Sequence, residues 1–118
     1  MAFNYFYGKQ ADQYGFVRIP KLLMTEKMFE DVSTDAKLLY GLLIDRMGMA
    51  QKNDWIDEEN RVYVLYPIAE IQEDMGVSKK KAIACLSDLE KSGLVEKKVR
   101  GLGLPNLLYI KNFVISLS

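Results

Sequence analysis

Apolar residues recur along this chain with two spacings, and the switch between them sets the expected order of elements. From Ala36 through Leu38, Leu39, Leu42, Leu43, Ile44 and Met47 the spacing is three and four residues, that of a buried helical face. Ser33-Thr34-Asp35 ahead of it supplies an N-cap, so a core helix is expected over roughly 34–50. Ile68, Ile71 and Met75 keep the helical spacing after Pro67, until Gly76 stops the segment as a C-cap. Ser78 then caps a helix running from Lys79 to Ser92, with Ala82, Cys85, Leu86 and Leu89 on one face and Gly93 as terminator.

Elsewhere the pattern shortens to that of strands. Phe16-Val17-Arg18-Ile19 alternates weakly and reads as a short strand before Pro20, with a helical turn over 21–28. Residues 51–60 are polar enough to be a loop, with a turn at Glu59-Asn60 and Trp55 pinning the loop to the core. Arg61 to Tyr66 is β-branched and aromatic, as strands are. Leu94 to Arg100 and Leu107 to Phe113 flank the Gly- and Pro-bearing stretch 101–106 and predict a hairpin. Residues 1–15, with Phe3, Tyr5, Phe6, Tyr7 and Tyr14 out of helical phase, read as an aromatic arm or edge strand suited to pairing two chains, ahead of a domain over 16–118.

The order helix, strand, helix, tight turn, helix, hairpin is that of an α+β winged helix-turn-helix: a helical core with a C-terminal β-hairpin wing. If Ala82, Cys85, Leu86 and Leu89 face the core, then Lys80, Ile83, Ala84 and Ser87 lie on the opposite face of the second helix, with Lys79 and Lys81 beside its N-terminal end. Three lysines in a first turn oppose the helix dipole, at about 0.3–1 kcal/mol each when exposed. A bound phosphate removes that conflict, because the helix N-terminus, the Ser78 hydroxyl and ammonium groups all favour an anion. Ile83 and Ala84 suit thymine methyl groups and Ser87 either base edge, while Lys97, Lys98, Arg100 and Lys111 give the wing cations for backbone or minor-groove contact.

Plainer readings stand beside these. The lysine runs also suit solvated faces, and Ile83 is a packing residue if the helix is rotated. Cys85 lies on the apolar face and reads as inert core filler. Gly101-Leu102-Gly103 lacks the strand-before, helix-after setting of a phosphate loop and reads as a hairpin tip. Asp57, Glu58 and Glu59 read as a solvated loop and not as a metal site.

Composition narrows the function classes. The 118 residues suit one domain, and 49% hydrophobic residues exclude a disordered chain. With no His and one Cys, the usual zinc ligands and the commonest general base are missing, so neither an enzyme nor a cofactor is expected. One Cys forms no internal disulfide, and neither a signal pattern nor a span-length apolar run is present, so a cytoplasmic protein with no membrane or small-molecule partner is expected. The net charge of zero is a cancellation. Residues 1–75 hold 8 Lys+Arg and 13 Asp+Glu, a balance of −5, and residues 76–118 hold 8 and 3, a balance of +5. The basic half is the one carrying the helix-turn-helix and wing, as a domain that offers double-stranded DNA one face requires.

Over nearly its whole length the chain also resembles a known family. Residues 16–23 (FVRIPKLL), 33–43 (STDAKLLYGLL), Asp45-Arg46-Met47, 53–63, and Gly101-Leu102-Gly103 followed by 109–113 (YIKNF) together resemble the N-terminal domain of plasmid replication initiators of the RepA type. The resemblance implies a winged-helix domain that binds repeated sites at a replication origin, as a dimer, on a plasmid or integrated mobile element of a low-GC Gram-positive-type bacterium. Family members normally continue into a separate C-terminal domain, so the chain is expected to be an isolated DNA-binding domain, as a fragment or a shortened relative. A winged-helix transcriptional regulator and a protein-interaction module remain the alternatives. The resemblance carries over no individual base contacts.

Overall fold

The computed structural model describes residues 2–113. Five helices precede a two-stranded sheet: α1 (Lys21–Thr25), α2 (Thr34–Met47), α3 (Ala50–Asn53), α4 (Ile68–Met75), α5 (Lys79–Lys91), β1 (Val95–Lys98) and β2 (Leu107–Ile110), with single 3-10 turns at Gln10–Gln13 and Lys27–Phe29. The helix-turn-helix and hairpin stand where the periodicity places them, and the architecture is a winged helix.

The core lies where α2, α4 and α5 meet the sheet. Leu23, Leu39, Leu43, Ile71, Leu89 and Val64 are its largest fully buried side chains, and Phe29 and Phe113 pack with rings 4.9 Å apart in an edge-to-face contact. Burying a side chain of this size contributes about 1.5–3 kcal/mol. β1 and β2 pair antiparallel with Val95 opposite Ile110 and Lys98 opposite Leu107.

Several expectations are corrected by tertiary packing. Phe16–Ile19 is extended but is no strand, because it crosses α2, which has no free backbone edge to offer. The crossing is at Gly41, where an added Cβ would lie 2.9 Å from Ile19 Cγ1 and 3.0 Å from the Arg18 carbonyl oxygen. That side of α2 buries Lys37 and Gly41, whereas Leu38, expected in the core, is exposed. The helix expected over 34–50 ends at Met47, and a separate turn, α3, stops at Asp54 with φ 57°, so the polar stretch 51–60 begins helical and becomes a loop only there. Trp55 packs partly buried against the core, as expected.

Arg61 to Tyr66 makes only isolated bridges, Ile56 with Val62 and Val64 with Leu108. Its backbone groups are taken by other partners: Tyr63 N–H donates to the Trp55 carbonyl, and the Leu65 carbonyl accepts from Arg46 at 3.0 Å. Val64 alone exchanges two hydrogen bonds with Leu108, at 2.9 and 3.0 Å, adding one rung to the sheet. The strands expected over 94–100 and 107–113 are shorter, but the Lys111 N–H still reaches the Leu94 carbonyl at 2.8 Å.

Candidate nucleic-acid interface

The turn between α4 and α5 is built by two residues. Gly76 takes the left-handed conformation, φ +66°, that ends α4, and Val77 N–H closes the turn on the Gln72 carbonyl. Ser78 Oγ then accepts from Lys81 N–H at 3.1 Å and starts α5. Ala82, Cys85, Leu86 and Leu89 are buried against α2 and α4, and burial pushes the Cys85 thiol up, as suits an inert core residue. The outward face is the one expected: Lys80 and Ala84 are exposed, Ser87 is half-buried, and Ile83 is 46% exposed, so the rotated alternative does not hold.

The three lysines of the first turn are not equivalent. Lys81 Nζ lies 2.8 Å from Asp35 Oδ2 at the start of α2, and this hydrogen-bonded pairing raises the lysine pKa. Lys79 and Lys80 are exposed and make no ion pair among the described residues. The opposed charge at this N-terminus is therefore concentrated on those two.

The wing sorts its cations by strand alternation. Lys97 shares a face with Val95, toward α5, and its ammonium is 3.7 Å from Glu90. Lys98 points to the other side, where it borders a cleft with Asp57, Glu59 and Tyr63. Arg100 turns inward on its own loop and donates from Nε to the Pro105 carbonyl at 3.0 Å, and Lys111 is 3.9 Å from Glu96. Between α5 and the wing runs a groove of about 590 Å³ with Ile83, Ser87 and Glu90 on one wall and Lys97, Pro105 and Asn106 on the other. The structure thus brings Ile83, Ser87 and Lys97 to one surface, gathers Lys80, Lys81, Ile83, Ala84 and Ser87 around an adjoining cleft, and separates Lys98 from both. Phe3, Tyr5, Phe6 and Tyr7 are all exposed, on an extended arm and not an edge strand.

Asp57 is the residue whose role departs most from the sequence reading. It is no solvated loop residue: it accepts from the backbone N–H groups of Glu59 and Arg61, from Arg61 Nε at 2.8 Å and from the Tyr109 hydroxyl at 3.0 Å. Partial desolvation pushes the carboxyl up, but these hydrogen bonds outweigh it and hold the pKa at about 2. Asp57 thereby ties the loop to β2, at the root of the wing. The sequence signal for this is Asp57 three residues before Asn60, both residue types that favour turns, and Asn60 takes the left-handed conformation with φ 64°.

Among the described residues no group of three or more His, Cys, Asp or Glu is placed to hold a metal ion, and no helix is long and apolar enough to cross a membrane.

Solved structures share this arrangement. One described as "N-Terminal domain of DNA binding protein" superposes with a TM-score of 0.78 at 32% identity, over 94% of this chain and 85% of that one. "Structure of Rep-DNA complex" gives 0.77 at 32% identity, over 92% and 84%, and "Structure of MDR initiator" 0.73 at 30%, over 92% and 86%. A "41 kDa protein" of Lactobacillus helveticus is 32% identical over 81 residues, 69% of this chain, and the match spans 23% of that protein's length. Residues 15–118 match the family described as "Replication initiator protein A (RepA) N-terminus", and the chain belongs to that family.

Proposed function

We propose that this chain is the double-stranded DNA-binding domain of a plasmid or mobile-element replication initiator, reading repeated origin sites with α5 and holding the duplex with the wing. The observation that carries the reading is the composition of one surface: a helix N-terminus with two uncompensated lysines, followed by Ile83, Ala84 and Ser87 facing outward. Likeness to a chain described as part of a Rep-DNA complex supports it. Ser78, Lys79 and Lys80 hold phosphates, Ile83, Ala84 and Ser87 meet base edges, and Lys97 and Arg100 serve the wing, while Lys98 faces the cleft beside Asp57 and Lys81 shares its charge with Asp35. The domain acts without catalysis, in the cytoplasm, and pairs with a second copy through Phe3, Tyr5, Phe6 and Tyr7.

Fluorescence anisotropy on origin repeats and random duplexes across a salt series tests the reading. Lys79→Ala and Lys80→Ala should each weaken binding and lower the log–log salt slope by about one. Unchanged affinity in both variants overturns it. Sedimentation tests the pairing: a monomer at micromolar concentration with the arm intact removes that part of the proposal.

A further inference from the structure

The tip of the wing is apolar where a solvated turn needs no such side chains. Leu102 is fully exposed, and Val99 and Leu104 beside it are exposed as well. The loop that carries them is held in shape: Gly101 (φ +108°) and Gly103 (φ +78°) set the tip, the Leu104 N–H donates to the Gly101 carbonyl, and Arg100 Nε clamps the far side at Pro105. A defined, projecting leucine on the loop that also carries Arg100 combines apolar area with positive charge.

One occupant matches both properties. The minor groove of DNA offers sugar walls and base steps to an apolar wedge, and phosphates to the cations around it. The tip also continues the surface proposed to meet DNA, since Pro105 and Asn106 of the same loop, with Lys97 on β1, form one wall of the groove whose other wall carries Ile83 and Ser87. We propose that Leu102 is a minor-groove wedge: it enters between base pairs beside the site read by α5 and kinks the duplex, and so selects flexible pyrimidine–purine steps at that position. This rests on the DNA-binding reading and adds to it a residue that reads deformability.

The experiment uses a duplex selected by this protein from a random-sequence pool, labelled at both ends for energy transfer. The wild-type protein should shorten the end-to-end distance, by a kink in the range of about 20–90°. Leu102→Ala, at a position with no packing to lose, should keep the melting temperature and still bind, but lose the bend and the preference for TA or CA steps; Leu102→Phe should keep both. Equal bending by wild type and Leu102→Ala overturns the wedge and leaves the DNA reading intact. A wild-type protein that retains no duplex at low salt overturns both.

Discussion

The carboxylate of Asp88 on α5 accepts a hydrogen bond from the backbone N–H of Ser33, the N-cap of α2, at 2.8 Å across 55 residues of sequence. A local capping box would place Glu or Gln three residues after the cap, but that position is Ala36, which supplies only the N–H that Ser33 Oγ accepts. The second half of the box comes from another helix. Asp88 thereby joins the core helix to the proposed reading helix at the same corner where Lys81 meets Asp35.

Removing that carboxylate should cost about 0.5–2 kcal/mol, the range for loss of a helix cap. Asp88→Ala should lower the urea midpoint accordingly. Asp88→Asn, which retains an acceptor oxygen, should recover most of the loss. Equal destabilisation by the two variants would show that charge and not capping is what matters there.

Asp57 makes a pH-dependent prediction. Its pKa is depressed from an ordinary 3.8 to about 2, so the stabilisation is fully present above pH 4 and is lost as pH falls through about 2. The difference in urea midpoint between wild type and Asp57→Asn should therefore be flat from pH 5 to 7 and shrink between about pH 4 and pH 2. A difference that persists unchanged at pH 2 contradicts the assigned pKa.

Gly41→Ala improves helix propensity by about 1 kcal/mol, yet it should destabilise the protein. The new methyl group meets Ile19 Cγ1 at 2.9 Å and the Arg18 carbonyl oxygen at 3.0 Å, and overpacking of this kind costs about 1–3 kcal/mol. Limited proteolysis should cleave the variant faster between the arm and Pro20. A higher melting temperature would mean that the crossing segment moves aside freely.

Arg46 joins three elements at once. Its guanidinium lies 3.9 Å from the Tyr66 ring centroid, 3.0 Å from the Leu65 carbonyl and 2.9 Å from Glu70. Tyr66 in turn donates to Asp74 at 2.5 Å, and burial together with that bond raises its pKa. Arg46→Lys keeps the charge but loses the planar stack and the forked donors. The expected loss is about 1.5–3 kcal/mol by denaturant titration, the range for a hydrogen bond to a charged group. A loss no larger than that of an exposed Lys→Arg exchange would sink the argument.

How much of this was legible in the sequence differs by element. The helix-turn-helix was readable because its signals are local: Gly76 ends one helix, Ser78 starts the next, and the apolar spacing of Ala82, Cys85, Leu86 and Leu89 turns α5 to a fixed angle. The outward face followed from that rotation, and Ile83 is where it was expected. Phe16–Ile19 and Arg61–Tyr66 carry strand propensity without forming strands, since that propensity describes a residue's fit to a half-buried extended surface and is silent on whether a ladder partner exists.

What the sequence by itself determined, then, was what contacts within a turn or two of helix govern, the caps at Ser33, Gly76 and Ser78 and the apolar face of α5, together with the position of the hairpin and the polarity between an acidic body and a basic helix and wing. Tertiary structure alone decided which charges remain available. Lys79, Lys80 and Lys81 are alike in sequence, yet only Lys81 has Asp35 at 2.8 Å; Lys97 and Lys98 are neighbours, yet it is Lys97 that has Glu90 at 3.7 Å. The reason is that an ion pair depends on the distance between side chains brought together by packing, and residues 46 positions apart in the chain reveal nothing of that distance until the helices dock.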